Sequence, residues 1–367
     1  MKKKRKALLL SAGYGRGHHS AAYALAEELQ ARGWQAQVAD TNAAAKPALF
    51  HATRLFYNAC VRHAPWVWGL VFAQIDRANW ASLVHSPGIA PCMHALRRRL
   101  QKEKPHLVIC TYPLYAYMLD VFAAEGWFRT PYVVVVTDAL VISRPWLQTR
   151  APLICLPDEH SLVLMQARYA PADGRLIAPG FPVRAAFCPG EQRPTPGALG
   201  EGLHIVYGAH APLERVVADV QAMLAAWPCM RLSLLAGERE KKLSSIFGSA
   251  PAVRLYGPEQ DPAPLLRSAH FYIGKAGAAT LFEAYATETP VIINYTLPGQ
   301  EEGNLQLLEL DGAGLCAEST ADLMHALRHL LDRDAAGRQR MCRAMRSSHR
   351  TGGARNIIDA IEGRFFS

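Results

Sequence analysis

Lys6-Ala-Leu-Leu-Leu-Ser-Ala-Gly-Tyr-Gly-Arg-Gly-His-His-Ser20 decides the fold. A short apolar run enters a turn carrying Gly13, Gly15 and Gly17. Helical spacing then starts at about Ser20, runs to Arg32 and stops at Gly33, a natural left-handed cap. Strand, glycine turn and helix in that order form the first part of a βαβ unit. Outward from it the pattern repeats. Trp34–Asp40, His106–Cys110, Tyr132–Thr137, Leu153–Leu156 and Leu176–Ala178 read as strands. Several are continuous apolar runs, suited to a parallel sheet buried on both faces. Pro189–Gly200 is rich in Pro and Gly without periodicity, as a linker is. Beyond it Leu203–Tyr207, Arg231–Leu235, Val253–Tyr256, Phe271–Ile273 and Val291–Tyr295 resume the strand pattern, and roughly Asp334–Phe366 reads as helix.

The expected fold class is therefore α/β, with two Rossmann-like parallel-sheet domains facing a cleft. The expected boundaries are 1–188, a linker at 189–201, a second domain at 202–350, and a C-terminal helix at 351–367 packing back toward the first domain. A chain of 367 residues exceeds the size at which one core usually splits. Ligands in such folds bind beyond the carboxyl ends of the strands, so the chemistry should follow strands.

Composition narrows the class. No apolar run approaches the ~20 residues of a membrane-spanning helix. The basic start Met1–Lys6 is followed by only Ala7–Leu10, whereas a signal peptide needs about 7–15 apolar residues there. The reading is a cytoplasmic protein. Eight scattered cysteines form no C-x-x-C pair, which argues against a disulfide framework and a zinc site. Residues 1–190 hold 22 Lys/Arg and 11 Asp/Glu, while 191–367 hold 18 and 20. The positive excess lies wholly in the first half and suits an anionic partner such as a membrane surface, or serves as a solubilising face.

Five motifs carry candidate chemistry. In the glycine turn, close backbone approach and a helix N-terminus favour a phosphate, and Gly17 is a candidate donor contact. A dinucleotide site is a rival there, with Asp40 as its acidic residue. His18 at the helix start can instead take a proton from a hydroxyl, whereas His19 reads more as a cap. Asp138, at the end of Tyr132–Thr137, can orient a histidine, accept a proton or bind an acceptor hydroxyl. In Phe271–Glu283 a small-residue turn precedes a helix. Lys275, Gly277 and Thr280 suit a diphosphate, and Glu283 suits two ribose hydroxyls. Pro298–Asn304 offers Gln300, Glu301 and Asn304 to a polyhydroxylated sugar. Arg54–Trp80 mixes aromatics with cations. Arg62, Trp66, Trp68 and Phe72 there suit a lipid acceptor at a membrane interface, or a core helix.

In this order the motifs resemble one family, the monogalactosyldiacylglycerol synthases and processive diacylglycerol glucosyltransferases, which are inverting GT-B glycosyltransferases. The most specific stretch is Gly274-Lys-Ala-Gly277, Glu283, Pro290-Val-Ile-Ile293, Pro298–Asn304 and Gly312-Ala-Gly314, supported by Gly180-Phe-Pro-Val183. The resemblance implies His18 as base with Asp138 as its partner. It also implies Glu283 on the ribose, Tyr256-Gly257 on uracil through backbone groups, and Gln300 and Glu301 on the donor sugar. It implies a UDP-sugar co-substrate, diacylglycerol or a similar lipid as acceptor, no metal and no other cofactor. The expected place is the inner face of the cell membrane, with peripheral attachment and no nucleic-acid partner. One departure stands out: where the family carries a glycine-rich loop, this chain has Tyr207-Gly-Ala-His-Ala-Pro212. Alternatives are a UDP-N-acetylglucosamine-dependent transferase to another lipid, a UDP-sugar epimerase or other Rossmann-type enzyme, and a non-catalytic nucleotide- or lipid-binding protein.

Overall fold

The computed structural model describes residues 4–13, 17–169, 174–188, 202–258, 260–348 and 350–366, without the side chains of residues 62, 333 and 334. The linker expected at 189–201 lies outside the described residues.

The first sheet holds β1 (Lys6–Leu10), β2 (Gln35–Ala39), β3 (Leu107–Cys110), β4 (Tyr132–Val135), β5 (Leu153–Cys155) and β6 (Leu176–Ile177), in the order β2-β1-β3-β4-β5-β6. The second holds β7 (His204–Gly208), β8 (Arg231–Leu235), β9 (Val253–Tyr256), β10 (Phe271–Lys275), β11 (Val291–Tyr295) and β12 (Gly314–Cys316), in the order β12-β11-β10-β7-β8-β9. Every pairing in both sheets is parallel. Strand order reverses at β1/β3 in the first sheet and at β7/β10 in the second. These are the switch points beyond which α/β sheets bind ligands.

Alternation along the strands feeds two cores on opposite faces of the first sheet. Leu8, Leu10, Val108, Cys110 and Val134 join one cluster. Ala7, Leu9, Leu107, Ile109, Val133 and Val135 join another, together with Ile357, Ile358 and Ile361 of the Gly353–Phe365 helix. That helix is tied to the first unit by Arg32, which reaches Asp359 at 2.6 Å and Glu362 at 2.9 Å, and by the Trp34 indole on Glu362 at 3.0 Å.

The chain forms two compact units. Met1–Arg184, Pro298–Gly303 and Thr351–Ser367 make the first, and Ala185–Leu297 with Asn304–Arg350 the second. Three local readings need correction. The first helix begins at Gly17 rather than Ser20, since the histidines continue its backbone pattern. The helical tail starts at Thr320, well before Asp334, and comprises Thr320–Ser347 and Gly353–Phe365; a Ser319–Asp322 capping box starts the first, and Gly352, at φ 82°, precedes the second. β12 escaped notice because three residues after Gly312-Ala313 show no readable period.

Pro298–Gly303 packs tightly within the first unit. A Cβ on Gly299, which has φ +78°, would lie 3.0 Å from the Phe72 ring, and one on Gly303 would collide with the Ala139 carbonyl and the Val141 amide. Backbone cannot yield as a side-chain tip can, so Gly303→Ala is expected to destabilise by about 1–3 kcal/mol. Urea unfolding measures this; an unchanged midpoint would mean the loop is not held there.

Candidate active site

At the first switch point β1 discharges into the glycine turn and β3 into Thr111-Tyr112. The two are stitched together by the Thr111 hydroxyl, which donates to the His18 carbonyl at 3.0 Å. This fixes the first turn of the Gly17–Ala31 helix beside the end of β3. The His18 ring is half-buried. Its Nδ1 lies 2.7 Å from Thr137 Oγ1, just past the end of β4. Tyr112 meets the ring edge-on at 5.4 Å and Trp146 packs at 6.0 Å.

Asp138 is buried, and its Oδ2 accepts the Trp146 indole N–H at 2.9 Å. The carboxylate thus anchors the indole that walls the histidine, while the neighbouring Thr137 touches the imidazole. Thr137 stands beside Asp138 in the motif read from sequence, but the role there went to Asp138 alone; Thr111, Tyr112 and Trp146 were not singled out.

The dinucleotide alternative loses its acidic residue here. Asp40 accepts from the Gly13 amide at 3.1 Å, the Ala43 amide at 2.9 Å and the Tyr115 hydroxyl at 3.0 Å. It caps the Thr41–Ala45 helix and holds the backbone at Gly13. Beside it lies a cavity of about 470 Å³ lined by Gly13, Asp40, Pro47, Phe50, His51 and Arg54, which the sequence did not reveal.

In the second unit the switch point is built from small residues. The ladder slips between Gly274 and Lys275, so that Lys275 pairs with Tyr295; a bulge of this kind re-aims a side chain. The Ala278–Thr287 helix follows Gly277, which provides no side-chain cap, and leaves its first-turn N–H groups without one. Thr280 is half-buried in that turn and Glu283 is buried farther along. Asn304 donates to the Ala276 carbonyl at 2.9 Å and braces the turn. Gly257, after Tyr256, is covered by Glu240, whose Oε2 would lie 2.5 Å from a Cβ at that position. The loop that departs from the family pattern is ordered: Arg239 donates to the carbonyls of Ala209 and Ala211. The Tyr272 hydroxyl fills the space beside Gly208 and Gly274.

Gln300 lies with the first unit, where its Oε1 accepts the Trp68 indole N–H at 3.0 Å. Glu301 is buried. The aromatic candidates divide. Trp66 is 67% exposed, Trp68 is half-buried and packs on Tyr57 at 4.7 Å, and Phe72 faces Gly299. The backbone of Arg62 lies in the Pro47–His63 helix, and its side chain is outside the described residues. No helix among the described residues is long and apolar enough to cross a membrane.

Residues 18–164 match the family model described as monogalactosyldiacylglycerol (MGDG) synthase. A processive diacylglycerol beta-glucosyltransferase of Bacillus thuringiensis (strain Al Hakam) is 25% identical over 380 residues, covering 98% of this chain and 94% of that protein. Among solved structures, Acinetobacter baumannii MurG has a TM-score of 0.63 at 15% identity, covering 98% of this chain and 100% of that one. A UDP-GlcNAc 2-epimerase from Neisseria meningitidis bound to UDP-GlcNAc has a TM-score of 0.60 at 12% identity, with the same coverages. Two six-stranded parallel sheets with these likenesses define a glycosyltransferase of the GT-B fold. Within that class the chain resembles the monogalactosyldiacylglycerol synthases and processive diacylglycerol glucosyltransferases, the family its motifs pointed to.

Burial, with a smaller push from His19, lowers the His18 pKa from 6.5 to about 4, against a hydrogen bond to the Thr111 backbone that pulls it up. His18 is therefore neutral at pH 7 and has a lone pair to offer. The unfolded chain binds the proton first, so stability falls as pH drops from 6.5 toward 4 and is unaffected by this group above that window. If His18 acts as a base, the acid limb of kcat/KM is expected near pH 4; a midpoint at the ordinary histidine value would show that the ring is not shielded.

Proposed function

We propose that the chain transfers a hexose from a UDP-sugar to the hydroxyl of diacylglycerol, or a related lipid, with inversion at the anomeric carbon, at the cytoplasmic face of the cell membrane. The observation that carries this reading is His18, a neutral imidazole fixed at a switch point of a GT-B enzyme.

The second unit holds the donor. Its diphosphate lies against the start of the Ala278–Thr287 helix, with Lys275 and Thr280, and Glu283 takes the ribose hydroxyls. As the lipid oxygen bonds to the anomeric carbon, His18 takes its proton. The bond from that carbon to the diphosphate oxygen breaks, and its electrons leave on UDP. The growing negative charge is met by the helix N-terminus and Lys275, which takes the place of a metal ion. Gln300 and Glu301 read the sugar, and the Gln300–Trp68 hydrogen bond couples that loop to the aromatic helix pair.

The acceptor side of this reading rests on exposed apolar side chains. Leu49, Leu55, Phe56, Trp66 and Leu70 are 45–67% exposed on the Pro47–His63 and Pro65–Arg77 helices, with Arg54 and Arg77 also exposed. Apolar tips among cations suit an anionic bilayer surface. Replacing Trp66 and Leu70 together by Ser is expected to weaken the affinity for anionic vesicles, read by sedimentation, by about 100-fold or more, each buried large side chain contributing about 1.5–3 kcal/mol. Unchanged sedimentation would remove these helices from the membrane.

Incubation with diacylglycerol vesicles and a panel of UDP-sugars, with and without chelator, tests the reaction itself. A glycolipid of the expected mass should form equally in both. His18→Ala should lower its rate by about 10²–10⁴-fold. Glu283→Gln should raise the donor KM by roughly 10–100-fold, the loss of about 1.5–3 kcal/mol from hydrogen bonds to a charged group. Epimerised free UDP-sugar in place of glycolipid would favour the epimerase reading, and no product with any donor would favour a binding protein.

A further inference from the structure

We infer that Thr137 is a positioning residue that selects the histidine tautomer, holding the proton on His18 Nδ1 and leaving Nε2 as the basic atom. The inference rests on the proposed role of His18 as the base. In related two-residue arrangements a carboxylate supports the catalytic imidazole, and Asp138 is the residue that the sequence offers for that task. The structure puts a hydroxyl there instead. Thr137 Oγ1, at 2.7 Å from Nδ1, is the one side-chain hydrogen-bond partner of His18 among the described residues, and the Thr111 backbone beside the ring also favours a proton on it. The Asp138 carboxylate accepts from Trp146, and Trp146 packs on the imidazole. Successive residues thus divide the work: Asp138 fixes the wall, and Thr137 contacts the ring.

A threonine hydroxyl can accept from Nδ1–H or donate to a bare Nδ1. The two arrangements have opposite chemistry. If Thr137 donates, the ring proton sits on Nε2 and no lone pair faces an acceptor. If Thr137 accepts, Nε2 is bare. After transfer the imidazolium carries protons on both nitrogens, and the Nδ1–H bond to Thr137 persists. A neutral hydroxyl orients the ring without adding negative charge beside it. The ring therefore keeps the low proton affinity that its burial imposes, which a carboxylate partner would raise.

The full chain labelled with ¹⁵N-histidine and studied without substrate tests this directly, because ring nitrogen shifts distinguish the two tautomers. His18 should show a protonated Nδ1 and a bare Nε2. In Thr137→Val that population should fall, and Thr137→Ser should restore it. In turnover, Thr137→Val should lower kcat by about 100-fold, the scale of a misplaced catalytic group, with donor KM nearly unchanged. Thr137→Ser should recover kcat to within a few-fold. A proton on Nε2 in the intact protein overturns the inference, as does a Thr137→Val kcat equal to that of the parent. If no glycolipid forms with any donor, the transferase reading fails while the tautomer measurement still decides the role of Thr137.

Discussion

Burial of β1 and β10 on both faces is the constraint from which the site follows. Leu8, Leu9, Leu10, Phe271 and Ile273 are fully buried, so polar chemistry has no place along these strands. It is forced to their carboxyl ends, where backbone groups leave the ladder and a helix begins. At β1 this puts His18 in the first turn of the Gly17–Ala31 helix, braced by Thr111 from the neighbouring switch strand. At β10 it puts uncapped N–H groups behind Gly277. One rule of sheet construction thus yields a histidine of lowered proton affinity in one unit and a helix start without a side-chain cap in the other.

The same logic explains why much was legible in the sequence. Strands such as Arg231–Leu235, Val253–Tyr256 and Val291–Tyr295 have the bounds that their sequence pattern predicted. Punctuation by Gly33 marks a helix end because its φ of 84° is a left-handed backbone that few other residues adopt. Contacts between residues distant along the chain were not legible. No spacing tells that Thr137 rather than Asp138 touches His18 across 119 positions, or that Asp40 holds Gly13. Nor does any local pattern reveal that Gln300 pairs with Trp68, 232 residues away.

The departing loop at Gly208–Pro212 also gains a physical account. The carbonyls of Ala209 and Ala211 are held by Arg239, and a Cβ on Gly208 would lie 2.7 Å from the Tyr272 hydroxyl, so a side chain there would push that ring aside. The loop is a differently braced switch-point turn rather than an unstructured remnant. Beneath it Tyr207, Asp219 and Asn294 form a buried hydrogen-bonded cluster, with Asn294 Nδ2 at 2.6 Å from the Tyr207 hydroxyl and Tyr207 donating to Asp219 at 2.8 Å. The Tyr207 hydroxyl, the Asp219 carboxylate and the Asn294 amide nitrogen so paired favour one arrangement, since each would be costly unpaired.

The central claim is direct displacement by a lipid hydroxyl whose proton goes to His18. The stereochemistry of the product tests it most directly. From an α-linked UDP-hexose, proton NMR of the purified glycolipid should show the β-anomer alone. An α-linked glycolipid would mean that the configuration is retained and would contradict the single-step account.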